Sequence, residues 1–202
     1  MLLWRNCHEG LLVTVMGQIG NHSPVLLIVA AFSRHQSALD WARGQAESEW
    51  GPVALSSEPF EFVETDYYQP TMGAGLLKQF WAFERLVDPG ELAEFKRKTN
   101  DWENACVKLE GYSEPRPLNL DPGYMTLAKL VLASTKDHVH RIYLGRGIYA
   151  EVTLYYHDRQ WRYRDWTFPD YRRQDYHAFF QQCRDYLRTH PDGRSTPRES
   201  PA

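Results

Sequence analysis

The sequence predicts an α+β fold: a ferredoxin-like split βαββαβ core, extended by a β-meander and a C-terminal helix. Three observations point there. The runs VLLIVAAF (Val25 to Phe32) and KQFWAFERLV (Lys78 to Val87) carry bulky apolar residues on both faces, as strands inside a sheet must. These are the first and third strands of the pattern, and in a split βαββαβ arrangement the first and third strands are the central pair. Near the C-terminus, Tyr176, Phe179, Phe180, Cys183 and Leu187 recur at offsets 0, 3, 4, 7 and 11, an amphipathic helical stripe.

After the first strand, Leu39, Ala42, Ala46 and Trp50 mark a helix from Gln36 to Trp50, stopped by Gly51-Pro52. A second strand is expected over Pro59 to Thr65, with Phe60 and Phe62 on one face. Following the third strand, Asp88-Pro89-Gly90-Glu91 is a helix start: Asp88 caps, Pro89 suits the first helical position and Glu91 closes the box. That helix runs to about Leu109, with Leu92, Phe95, Trp102, Cys106 and Leu109 inward. A short fourth strand, Pro117 to Leu120, ends in the turn Asp121-Pro122-Gly123. Thr126 to Ser134 is expected to form a short helix, with a strand as the alternative. The meander follows over His140 to Trp166, and the last helix over Tyr171 to Leu187.

A chain of 202 residues suits one domain with a full core, here 16–188. Residues 1–15 lack a periodic stripe and read as a loose extension. The Pro-rich polar segment 189–202 reads as a disordered tail. Cys7, Cys106 and Cys183 are far apart with no CxxC pair, which argues against a disulfide framework or zinc site and for a cytoplasmic protein. No apolar run is long enough for a membrane span. The net charge of −3 gives no nucleic-acid-coat signature, but charge is unevenly placed. Met16 to Glu110 holds 14 Asp/Glu against 8 Lys/Arg, whereas Lys136 to Arg188 holds 10 Lys/Arg against 7 Asp/Glu. Nine of those ten cations are Arg, so a site for an anionic partner is sought in this later segment.

Strand alternation divides the meander into two faces. Pairing Leu144 with Ile148 across Gly145-Arg146-Gly147 puts His140, Ile142, Leu144, Ile148, Ala150, Val152, Leu154 and Tyr156 on a core face. The other face gathers Arg141 opposite Glu151, Tyr143 opposite Tyr149, then Thr153 and Tyr155, joined by Arg162, Arg164 and Trp166 from the next strand. Guanidinium forks bind phosphate or carboxylate, and flat rings stack on bases or sugars. Arg141, Tyr143, Tyr149, Thr153, Arg162, Arg164 and Trp166 are therefore the candidate ligand-binding residues, for an anionic small molecule or RNA. The same residue types also serve as ordinary cross-strand pairs, or as an interface for another protein or a second copy of the chain.

Lys136, His138 and Glu151 are the candidate acid–base residues at the edge of that face. Asp66, Glu84 and Asp121 fall on or beside strands two, three and four and could hold Mg²⁺, although Asp66 and Asp121 also suit turn starts. No GxxxxGK[ST], GxGxxG or GxSxG string occurs. Met72-Gly73-Ala74-Gly75 lacks the Lys-Ser/Thr of a phosphate loop.

Five strings carry a family resemblance: TDYY (Thr65 to Tyr68), FERLVDP (Phe83 to Pro89), NLDPGYMTLAKLVLASTKD (Asn119 to Asp137), HRIYLGRGIYAEVTL (His140 to Leu154) and WTFPDY (Trp166 to Tyr171). Through them the chain resembles the bacterial and archaeal domain-of-unknown-function family 4416, with Phe168 where Tyr is more usual. The resemblance implies a compact soluble prokaryotic protein and brings neither an activity nor assigned site residues.

Overall fold

The computed structural model describes residues 20, 22–65 and 67–193. The expected extension over 1–15, Asp66, and the tail beyond 193 lie outside the described residues. In chain order the elements are β1 (Val25–Ser33), α1 (Gln36–Trp50), β2 (Val53–Ser56), β3 (Phe60–Glu61), α2 (Gln69–Met72), β4 (Leu77–Val87), α3 (Leu92–Cys106), β5 (Asn119–Met125), β6 (Lys129–Ser134), β7 (Ile142–Gly145), β8 (Ile148–His157), β9 (Gln160–Tyr163) and α4 (Gln174–Thr189). The strands form one antiparallel sheet in the order β2-β4-β1-β5-β6-β8-β7, with β3 also on β4 and β9 on β8. No helix among the described residues is long and apolar enough to cross a membrane.

Every residue of β1 is buried because helices cover both faces of the sheet. Val25, Leu27, Val29 and Ala31 pack toward α1 and α3, around Trp50, Phe95 and Trp102. Leu26, Ile28 and Ala30 pack toward α4, whose stripe Tyr176, Phe179, Phe180, Cys183 and Leu187 is buried throughout, as its spacing predicts. Asp88 accepts a hydrogen bond from Gly90 N at 2.7 Å, and a 3-10 turn over Pro89–Glu91 leads into α3. Leu109 falls beyond that helix and is exposed, not inward.

Three strand expectations are corrected. The single strand over Pro59 to Thr65 is instead the pair β2 and β3, both on β4. Pro59, with no N–H, falls in the break between them. Ser57 bridges that break, its Oγ accepting from Phe80 N at 2.9 Å. Thr126 to Ser134 resolves as the tight turn Thr126–Lys129 and strand β6, whose Leu130 and Leu132 face α4 while Val131 and Ala133 face α3. Asp121-Pro122-Gly123 is not a turn. It lies inside β5, paired with Val29 and its neighbours on β1.

The meander keeps its expected pairs Ile142–Ala150, Tyr143–Tyr149 and Tyr155–Arg162. Gly145, not Leu144, meets Ile148, so the loop has two residues, Arg146 and Gly147, both at positive φ. The expected two faces do not run the length of β8. An irregularity at Thr153 pairs Val131 with Val152 but Leu130 with Leu154. Ile148, Ala150 and Val152 therefore join the α3 side, while Leu154 and Tyr156 join the α4 side. A bulge shifts alternation by one residue, which sequence alternation alone cannot reveal. Ile142 (73% exposed) and Leu144 leave the expected core face because β7 ends the sheet. His140 precedes β7 in a turn and reaches Glu151 instead of the core.

Candidate functional site

On the α4 side of the sheet, α4 covers β1 only as far as Ala30. Phe32, near the other end of β1, belongs to a smaller cluster with Phe62, Met72 and Leu76. Beside it opens a cavity of about 590 Å³, within the roughly 300–1,000 Å³ of small-molecule sites. Its base comes from ladder partners, which share a face. Phe32 stands between Lys78 on β4 and Asn119 on β5, and Leu132 stands opposite Glu151. Phe62, Thr65, Tyr67 and Tyr68, the turn Phe168–Tyr171, Lys96 and Glu103 of α3, and Lys136 with Arg141 add to the wall.

The cavity exists because the sheet splits. Only Gly123 to Met125 of β5 pair with β6. Pro122 cannot donate to a ladder, so the strands part there. Two side chains of α3 fill the place of the absent strand on Leu120. Glu103 Oε1 accepts from its N–H at 2.8 Å, and Lys96 Nζ donates to its carbonyl at 2.7 Å. Lys96 Nζ also donates to Asp121 Oδ1 at 3.1 Å, and Asn119 Nδ2 to Asp121 Oδ2 at 2.8 Å. Burial pushes the Glu103 carboxyl up. Burial, the largest single influence, would raise Asp121 too, but the charges of Lys96 and Lys78 together with hydrogen bonds from Lys96 and Asn119 hold that carboxyl below its ordinary value.

Lys78 and Asp170 form an ion pair at 2.6 Å, with both side chains at most 5% exposed. Arg141 Nε donates to Glu151 Oε2 at 2.8 Å, and its Nη1 donates to Ser134 Oγ at 2.7 Å and to the Lys136 carbonyl at 2.9 Å. His140 Nε2 meets the same Glu151 oxygen at 2.9 Å, and its ring stacks between His138 and Trp166. At the rim, Lys136 Nζ donates to Tyr67 Oη at 2.9 Å and lies 4.5 Å from that ring's centre. This bond, with the Lys136 charge, lowers the Tyr67 pKa. Arg116 bonds Asn119 and lies 3.6 Å from Glu103.

All four charged residues that are buried among the described residues, Lys78, Lys96, Glu151 and Asp170, line this one cavity. Charged groups resist burial unless they are paired, and here each cation has its own carboxylate. The pairs are Lys78–Asp170, Lys96–Asp121, Arg116–Glu103 and Arg141–Glu151. Glu64, also on the wall, is taken by Arg173 at 2.8 Å. Lys136 alone among the described lining cations leans on a neutral partner, the Tyr67 phenol.

The expected site residues divide accordingly. Lys136, His138, Glu151 and Arg141 line the cavity; Tyr143, Tyr149, Thr153, Arg162, Arg164 and Trp166 do not. The bulge puts Tyr155 and its partner Arg162 on the opposite face of the sheet from Glu151, and Arg164 stacks over Tyr155 at 4.0 Å. Thr153 is buried, and Trp166 donates its indole N–H to the Val152 carbonyl. Tyr143 and Tyr149 pack against each other with their rings tilted at 51°. The Mg²⁺ trio is not assembled: Glu84 lies in a separate hollow with Glu49 and Arg85, Asp66 is outside the described residues, and Asp121 is engaged by Lys96 and Asn119. Among the described residues no cluster of three His, Cys, Asp or Glu is placed to hold a metal.

Lys78, Lys96, Glu103, Arg116 and Asp170 were not singled out from sequence. The available signal was a charge at an inward position. Lys78 alternates with Phe80 and Ala82 on β4, and Lys96 follows Leu92 by four residues on the inward face of α3.

Four of the five strings that carry the family resemblance contribute to the cavity wall; FERLVDP does not. A family model described as a domain of unknown function, DUF4416, matches residues 23–186. Searches of curated proteins and of solved structures return no match.

Proposed function

Because the chain belongs to the DUF4416 family, whose description names no chemistry, we propose from the cavity itself that it binds a small phosphorylated ligand there. The observation that carries this reading is the Lys136 charge, left without a carboxylate among the described residues in a wall whose other described cations each face one. An anionic group at the rim gains Lys136 and the adjacent hydroxyls of Thr135 and Thr65, which also line the cavity. The concave shape favours a small molecule over RNA laid across a flat face.

The test is calorimetric titration with inorganic phosphate, nucleotides and sugar phosphates, at two salt concentrations. Lys136→Ala should weaken binding roughly tenfold or more, because a hydrogen bond to a charged group contributes about 1.5–3 kcal/mol. Its melting temperature should stay near wild type, since Lys136 is exposed and its partner is neutral. Binding should also weaken as salt rises, through screening at the open rim. Equal affinities in wild type and variant would remove the reading.

One observation favours a second reading, self-association. β7 is the last strand of the sheet order, and Ile142 and Tyr143 on it are 73% and 59% exposed. Light scattering decides: a mass twice the 23.6 kDa of one chain, falling to one chain in Ile142→Lys, would support it.

We also propose the finer architecture, in which β1, α1, β2, β4, α3 and β5 form a ferredoxin-like split βαββαβ unit. Support comes from the order β2-β4-β1-β5 and from α1 and α3 sharing one face.

A further inference from the structure

We infer that the cavity prefers phosphorylated ligands that carry a hydroxylated sugar, whose hydroxyls reach a floor made by Lys78 and Tyr171. This rests on the reading above and names the ligand class within it.

The floor holds donors that the protein does not use. An ammonium carries three, and Asp170, at 2.6 Å, is the one hydrogen-bond acceptor of Lys78 among the described residues. Aromatic rings close in around it, from Tyr171 at 4.3 Å to Tyr176 at 5.8 Å. They screen the charge without replacing a lone pair. Tyr171 lies on the cavity wall, is 2% exposed, and its hydroxyl has no hydrogen-bond partner among the described residues. Burial, and then the charges of Asp170 and Asp121 with a smaller share from Glu151, push that phenol far above its ordinary pKa, so it remains a donor. Buried donors left unsatisfied are rare in folded proteins. A buried phenol with no partner among the described residues, beside an ammonium with one acceptor and on the same cavity wall, marks where a ligand's acceptors sit.

Charge decides which acceptors. The floor is neutral, because Lys78, Lys96 and Arg141 each face a carboxylate. A phosphate placed there would meet Asp170, Asp121 and Glu151 at close quarters. A sugar hydroxyl suits both sets of groups: it accepts from Lys78 or Tyr171 and donates to a carboxylate oxygen. The phosphate then remains at the rim with Lys136.

The experiment titrates ribose 5-phosphate, adenosine 5′-monophosphate and n-butyl phosphate into wild type, Tyr171→Phe and Tyr176→Phe. Tyr176 is the control: its hydroxyl is also buried without a partner, but it does not line the cavity. Wild type should bind at least one sugar-bearing phosphate about tenfold or more tighter than butyl phosphate. Which of the two leads tells a free sugar phosphate from a nucleotide. Tyr171→Phe should lose most of that preference while binding butyl phosphate as wild type does, and Tyr176→Phe should keep it. Both variants should melt at or above the wild-type temperature, since each removes an unpartnered buried hydroxyl. Equal wild-type affinity for all three compounds, or a preference that survives Tyr171→Phe, would overturn this inference and leave phosphate binding standing. Failure of all three to bind would overturn both.

Discussion

Asp170→Ala should destabilise the fold by about 3–5 kcal/mol, the range for removing one partner of a buried ion pair. Lys78 Nζ has Asp170 as its hydrogen-bonded carboxylate, at 2.6 Å. Lys78 itself is fixed in β4, laddered to Phe32 on one side and Phe60 on the other, with its side chain only 4% exposed. The surrounding rings recover part of the loss through cation–π attraction, which favours the lower end of that range. Urea denaturation measures the loss. Lys78→Met combined with Asp170→Leu should recover most of it, because apolar replacement of a buried pair is often neutral or stabilising. That double variant separates fold from function: it should remain folded yet lose the sugar-phosphate preference along with the Lys78 donors. A cost below about 1 kcal/mol for Asp170→Ala, the scale of an exposed pair, would show that Lys78 does not depend on Asp170.

The elements that alternate or recur without interruption were legible in the sequence. β1, β4, α1 and α4 follow from where Val25 to Phe32, Phe80 to Phe83, Leu39 to Trp50 and Tyr176 to Leu187 place their apolar side chains. Features made by a single residue were not. The bulge at Thr153 leaves no mark in the composition of EVTLYY, yet it sends Tyr155 and Arg162 to the face away from Glu151. The Arg-rich segment misled for a related reason. Of its nine Arg only Arg141 lines the cavity. Several others tie backbone or neighbouring elements together, as Arg172 does to the carbonyls of Thr167 and Asp165, and Arg184 to that of Leu127. Glu151 and Arg141 were found because they are neighbours across one hairpin. Lys96 and Asp170 reach the same cavity from α3 and from the turn before α4, and no local pattern joins such distant segments.

Gly123→Ala should destabilise by an amount at or above the top of the roughly 1–3 kcal/mol typical of overpacking. A Cβ at Gly123 would lie 2.3 Å from the Val131 carbonyl oxygen and 2.6 Å from Leu132 Cδ2, where carbon atoms prefer roughly 3.5–4.0 Å. The nearer obstacle is backbone, so no rotamer relieves it, and β5 and β6 must move apart. Gly44→Ala is the contrasting case. Gly44 is exposed in α1 with nothing within 4 Å of its added Cβ, so alanine should stabilise by about 0.5–1 kcal/mol through helix propensity. Denaturation midpoints of the two variants should therefore move in opposite directions. The Gly123 effect should also reach the site, because the sheet begins to split at Pro122, one residue away. Moving β5 from β6 would widen the gap that Lys96 and Glu103 bridge at Leu120, and would draw Asp121 from Glu151 across the cavity. Ligand affinity should fall in whatever fraction of Gly123→Ala remains folded, whereas Gly44→Ala should bind as wild type does. A Gly123→Ala variant with wild-type stability and affinity would mean that β5 and β6 can separate freely, and that the close contact at Gly123 is not what sets the shape of the cavity.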